Sequence, residues 1–188
     1  MPIPYRDADD LDEFGTVAYL KIESLPHDAG YLGALFLINA RGEPVEFTYN
    51  RIDTPQSFLW RQEDLHRHAA RKLTASLFSL CPRTPRLLLC LAKEVGSELF
   101  CQDIQVSIPV CRLAPTSEIV SPAEAEAQDT VSASEPLHAF WFPGKPAEDA
   151  IELRLLQLLA ARGILLEPFA RASLGLREVY RIQDNQVN

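Results

Sequence analysis

Between Tyr31 and Ile38 the chain reads Tyr-Leu-Gly-Ala-Leu-Phe-Leu-Ile, with no charged side chain. A run this short and this apolar is a strand buried on both faces, so the fold must supply cover above and below it. The turn Asn39-Ala40-Arg41-Gly42 follows, and Gly42 can take the positive φ that a tight turn asks for. Val45, Phe47 and Tyr49 then alternate with Glu46, Thr48 and Asn50, the pattern of a half-exposed returning strand. Residues 31–52 therefore form a hairpin. From Gly15 an earlier strand begins, in which Ala18, Leu20 and Ile22 alternate against Val17, Tyr19 and Lys21.

From about Ser57 to Leu80 the period becomes helical. Leu65, Ala69, Leu73, Leu77 and Leu80 recur at intervals of three and four and make one apolar stripe, with Arg67, Arg71 and Lys72 away from it. Cys81-Pro82 ends this helix, because the residue before a proline avoids the helical region. Leu87 to Ala92 reads as a short buried strand, and Glu94 to Phe100 as a helical turn or a loop. Val106, Ile108 and Val110 alternate, but Pro109 lacks a ladder donor, so this strand is expected at a sheet edge.

Composition divides the rest. Residues 1–14 are acidic and hold Pro2 and Pro4, which predicts a loosely docked arm. Residues 114–136 are mostly Ser, Thr, Ala, Pro and Glu without a base, which predicts a disordered acidic linker between a mixed α/β domain (15–113) and a C-terminal segment (137–188). That segment starts with the apolar Leu137 to Phe142. It continues with a helix over Ala147 to Ala161 stopped by Gly163, and a last helix with Pro168 in its first turn. Some fifty residues make a marginal core, so these helices are expected to pack on the first domain or on another protein.

The chain of 188 residues has 47% apolar residues, 23% charged residues and a net charge of -8. It can bury a core without disulfides or metal, and its acidity argues against a wholly basic nucleic-acid-binding surface. No apolar run reaches the length that spans a bilayer, and the N-terminus lacks a secretion-signal pattern, so a soluble cytoplasmic protein is expected. Cys81, Cys90, Cys101 and Cys111 have no zinc-ligand spacing and read as reduced thiols. There is no phosphate-binding glycine loop and no nucleophile elbow. His66 and His68 are two apart on a helix and cannot share a face. His27 reads as a hydrogen-bonded loop histidine and His138 as a partly buried one. No metal site and no cofactor is expected.

The element order strand, strand, strand, long helix, strand, short turn, strand over residues 15–113 resembles the ribonuclease H-like fold. That resemblance implies a mixed sheet and, for nucleases, carboxylates converging on divalent metal ions. The first strand has no acid before Glu23, so the resemblance implies a catalytic set of Glu23, Glu63 and Glu94, or an inactive scaffold. The hairpin Leu35 to Val45 followed by a long helix also resembles the roadblock or profilin-like scaffolds, which work by pairing with other proteins. The strings Gly30 to Leu35 and Arg41 to Phe47 resemble a group of uncharacterised bacterial proteins to which no activity attaches.

Two functions follow. The first is a non-catalytic accessory or scaffold protein docking a protein partner through Phe140, Trp141, Phe142, Arg67 and Arg71. The aromatic trio sits just after the expected linker, where exposure would make it an interface anchor. The alternative is a metal-dependent nuclease of ribonuclease H-like fold, or its inactive nucleic-acid-binding relative. Between Arg61 and Arg86 six bases face two acids, a segment suited to phosphates or to an acidic partner.

Overall fold

The computed structural model of the protein describes residues 3–4 and 10–181. Seven strands form one mixed sheet: β1 (Thr16–Ser24), β2 (Gly30–Asn39), β3 (Pro44–Asp53), β4 (Leu87–Leu91), β5 (Val110–Pro115), β6 (Ala127–Val131) and β7 (Leu137–Phe142). Their spatial order is β3-β2-β1-β4-β5-β7-β6. β1, β2 and β3 are antiparallel neighbours, as short connections require. β4 lies parallel to β1, with Leu20 opposite Cys90, and β5 lies parallel to β4.

Helix α1 (Gln62–Leu80) makes the β3-to-β4 crossover and covers one face of the sheet. Its Leu65, Ala69, Leu73 and Leu77 pack on Ala18, Leu20, Ile22, Leu35 and Leu88. Leu80, assigned to the same stripe, is exposed. Gly33 of β2 lets α1 come close, since a Cβ there would stand 3.2 Å from both Leu73 and Leu77. Helices α2 (Ile151–Ala161) and α3 (Glu167–Tyr180) cover the other face. There Leu155, Leu159, Phe169 and Leu176 pack on Val17, Tyr19, Leu89 and Trp141.

Several expectations change. Helix α1 starts at Gln62 rather than Ser57, because Trp60 and Arg61 are extended and separate it from a short turn at Ser57–Leu59. The fifth strand starts at Val110, after Pro109, and lies between β4 and β7 rather than at an edge. Pro109 still takes part, its carbonyl accepting from Leu88 N–H at 3.0 Å. Of the N-terminal arm, residues 1–2 and 5–9 lie outside the described residues. Leu11 and Phe14 pack on the core, with Arg154 over the Phe14 ring at 5.2 Å.

The expected linker holds a strand, β6, paired antiparallel with β7. The physical reason is one buried ion pair. Arg112 of β5 donates to both Glu126 oxygens, at 2.6 and 2.8 Å, and the two side chains are 4% and 2% exposed. Arg112 also donates to Val95 O at 3.1 Å and lies 5.4 Å from the Phe140 ring centroid. Glu126 in turn accepts from Ala123 N–H at 2.9 Å. A bidentate guanidinium–carboxylate pair needs fixed geometry on both sides, so it pins a stretch that composition alone reads as loose.

The C-terminal segment is therefore part of the same core. β7 pairs with β5, Trp141 opposite Cys111, and Phe140 and Trp141 are wholly buried while Phe142 is half-buried. These aromatics cannot act as exposed anchors for a partner.

Candidate functional site

The sheet carries its charged cluster where β1 and β4 end side by side. Lys21 and Glu23 point to the face covered by α3, alternating with the apolar Ala18, Leu20 and Ile22 that face α1. Glu94 follows β4 in the turn that begins at Leu91, and its carboxylate folds back over β1. The Lys21 ammonium donates to Glu94 Oε1 in a close contact, and Ile22 N–H reaches Glu94 Oε2 at 3.4 Å. The same ammonium lies 3.7 Å from Glu23 Oε1. Ser173 of α3 donates to Glu23 Oε1. His66 docks this corner, its Nε2 2.6 Å from Glu94 O and its ring against Tyr31 at 5.6 Å. Burial pushes the Glu94 carboxyl above its usual range, against the opposing pull of Lys21 and of the Ile22 amide.

Two of the three candidate carboxylates thus meet around one cation, and the third does not. Glu63 is exposed in the first turn of α1, the helix on the opposite face of the sheet from Glu23. Among the described residues no three His, Cys, Asp or Glu side chains gather closely enough to hold a metal ion. The donor set does not fit the two-metal centre that the fold's nucleases use. Where such a centre needs several carboxylates around divalent ions, this chain has two around its own ammonium.

Lys21 stands at the centre of this cluster although the alternation of β1 does not single it out as a site residue. Its signal was present: one charge in a strand otherwise made of Val17, Ala18, Tyr19, Leu20 and Ile22. A buried charge is retained only where a partner compensates it.

A second surface lies at the start of α1. Phe58, Leu59 and Trp60 are consecutive and 81%, 69% and 45% exposed. Three neighbouring apolar side chains in water are unusual for a stable surface and mark contact with something else. The Trp60 ring lies over His68 with centroids 4.9 Å apart. Arg71 and Lys72 follow one turn on, exposed, and make no hydrogen bond or ion pair among the described residues. Burial and these two cations hold the His68 imidazole below its ordinary pKa. Arg67 is engaged instead, donating to Asp103 at 2.9 and 2.7 Å and to Gln102 at 3.2 Å. Arg61 pairs with Asp64 at 2.6 Å. The basic segment therefore divides: part is neutralised locally, and Arg71 and Lys72 remain available beside the aromatic run.

The remaining histidines are structural or exposed. His138 is half-buried near Gln128, and His27 is exposed in a loop with φ 57°. All four cysteines are free thiols, and burial raises the pKa of Cys90 and Cys111 far beyond the thiolate range.

No protein-family model and no curated protein matches the chain. Solved structures do. The chain is similar to endonuclease V from Bacillus subtilis, with a TM-score of 0.55 at 15% identity, covering 90% of this chain and 82% of that one. It is similar to endonuclease V from Streptomyces avermitilis, with a TM-score of 0.58 at 13% identity, covering 89% and 82%. This likeness overturns the reading of the chain as a protein-docking scaffold, as does the burial of Phe140 and Trp141. With its β3-β2-β1-β4-β5 sheet core and its α1 crossover, the chain has the ribonuclease H-like fold.

Proposed function

We propose that this chain is a nucleic-acid-binding protein on a ribonuclease H-like scaffold, one that holds a strand without cutting it. The observation that carries the reading is the exposed run Phe58-Leu59-Trp60 beside Arg71 and Lys72, which are exposed and form no hydrogen bond or ion pair among the described residues. Bases that have left the helical stack need flat apolar surface, and their phosphates need cations. Aromatic side chains next to arginine and lysine offer both. Each stacked base is worth about 1–3 kcal/mol by alanine substitution. A single-stranded or locally opened substrate suits such a surface better than an intact duplex, whose bases are not accessible to it.

The other half of the reading is the absence of cutting. It rests on Lys21, whose ammonium sits between Glu23 and Glu94 and neutralises the carboxylates that would otherwise attract a divalent ion. Fold likeness alone does not transfer an activity. Fluorescence anisotropy with a labelled single-stranded oligonucleotide tests the binding. The wild-type protein should bind saturably, with affinity falling as salt rises. Phe58→Ser with Trp60→Ala should weaken it by about tenfold or more, from the loss of one or two stacked bases. An affinity unchanged by both substitutions would refute the interface.

A further inference from the structure

At the opposite end of α1 the molecule has a cleft that the proposed strand interface does not use. One cavity of about 250 Å³ has an apolar floor of Leu35, Phe78, Leu88, Val106 and Ile108. A second, of about 520 Å³, reaches from Gly15 and Thr16 past Arg86 to Pro109. The two share Arg83, Thr84, Pro85, Ser107 and Ile108 as a common wall. Together they make an apolar pocket opening into a polar mouth.

The mouth is built rather than incidental. Arg83 and Arg86 come from the short connection between α1 and β4, stiffened by Pro82 and Pro85. Arg86 N–H donates to Thr16 O at 2.9 Å, and the Cys81 thiol reaches Arg83 O at 3.3 Å, so the backbone is tied on both sides. The Arg86 side chain lies flat against Gly15, where a Cβ would stand 3.0 Å from its Nε. Neither guanidinium makes a hydrogen bond or ion pair among the described residues, although the chain carries a net charge of -8. Among the described residues Glu152 is the one carboxylate that lines the mouth, and it pairs with neither arginine.

The geometry points to a small amphipathic anion as the occupant. We propose that its apolar body lies on Leu35, Phe78, Leu88, Val106 and Ile108, and its single phosphate or carboxylate head sits between Arg83 and Arg86. Five apolar side chains line this cavity against one amide, Gln105, and the Cys81 thiol beyond the shared wall, which favours a mostly aliphatic body. At about 30 Å³ for each water-sized group, the inner cavity takes roughly eight heavy atoms. Two guanidiniums at the mouth match a multi-oxygen anion with charge-assisted hydrogen bonds. The 19 residues of α1 span roughly 28 Å, so this site stands apart from the Phe58–Trp60 face.

The test titrates the full chain with octyl phosphate, octanoate, inorganic phosphate and 1-octanol, followed by calorimetry and by amide chemical shifts. Octyl phosphate or octanoate should bind saturably and shift amides at 105–108 and near Phe78. Whichever of the two binds more tightly identifies the head group. Inorganic phosphate and 1-octanol should each bind about tenfold more weakly or worse, because each lacks one half of the ligand. Arg83→Ala with Arg86→Ala should cost about tenfold or more in affinity, while Arg51→Ala on β3 should leave it unchanged. Because the amide-shift map is read on the wild-type protein, a misfolded variant does not spare the proposal. Failure of both amphiphiles to bind, equal binding of octanol, or shifts that map elsewhere would each overturn it.

Discussion

Glu126→Gln should unfold this protein far more readily than a single isosteric change ordinarily does. Glu126 is 2% exposed and its two oxygens take the Arg112 fork at 2.6 and 2.8 Å. The amide of glutamine can accept at one position only and brings an N–H₂ group against the other guanidinium nitrogen. Arg112, itself 4% exposed, is then a buried cation without a counter-charge. Breaking a buried pair from one side costs about 3–5 kcal/mol, because the remaining charge stays desolvated. With a urea dependence of about 2 kcal/mol/M for a domain of this size, the unfolding midpoint should fall by about 1.5–2.5 M. The variant should also lose protection against proteolysis over 116–126, since the Ala123 amide loses part of its anchor. The double substitution Arg112→Leu with Glu126→Leu should recover most of the loss, as buried pairs are often replaceable by apolar residues. A drop below about 1 kcal/mol for Glu126→Gln, or a double variant as unstable as the single one, would refute the claim that this pair anchors the segment.

Lys21→Met should destabilise by about 3–5 kcal/mol at neutral pH, since it leaves the half-buried Glu94 and Glu23 without their cation. The Glu94 carboxyl is already raised by burial, so in that variant the folded state holds its proton more tightly than the unfolded chain. The penalty should therefore shrink as pH falls from neutral toward the ordinary carboxylate range and grow as pH rises, read by urea midpoints across that interval. His68 should titrate below its ordinary 6.5 by NMR. As pH falls below 6.5 the unfolded chain takes up the proton first, so His68 lowers stability there, and Arg71→Ala with Lys72→Ala should move its pKa upward. Gly175→Ala should destabilise α3 against β3, because the added Cβ would lie 2.6 Å from Phe47 Cζ. The overpacking cost of about 1–3 kcal/mol outweighs the gain of about 1 kcal/mol in helix propensity, and thermal melts decide the sign.

The hairpin of β2 and β3, the crossover helix and the buried fourth strand were legible in the chain because each carries a period set by its own residues. The ribonuclease H-like order followed from them. The acidic stretch 114–136 was not legible as structure, since its order depends on Arg112, a residue in another strand, and a long-range ion pair leaves no local period. Trp141 was misjudged for the same reason: its burial comes from pairing with Cys111 across the sheet. At the site, Glu23 and Glu94 share the Lys21 ammonium, a cation the expected carboxylate set of Glu23, Glu63 and Glu94 did not include. Glu63 was placed with them on chain order, but it starts a helix on the other face. Lys21 was hidden by being counted as one more alternating residue, although a lone charge in an apolar strand is a sign of a buried partner. The exposed Phe58 and Leu59 fell outside the α1 stripe, and only the extended backbone at Trp60 and Arg61 explains why they do not join it.

A scaffold that holds a strand without cleaving it must leave that strand intact under conditions that favour metal-dependent cutting. The direct measurement follows an end-labelled single-stranded oligonucleotide on a denaturing gel, at saturating protein, with magnesium or manganese present. Bound strand that stays full length, with affinity unaltered by chelator, is the result the Lys21-centred cluster predicts. Time-dependent cleavage that depends on the metal and disappears in Glu94→Gln would contradict it and would make these carboxylates catalytic.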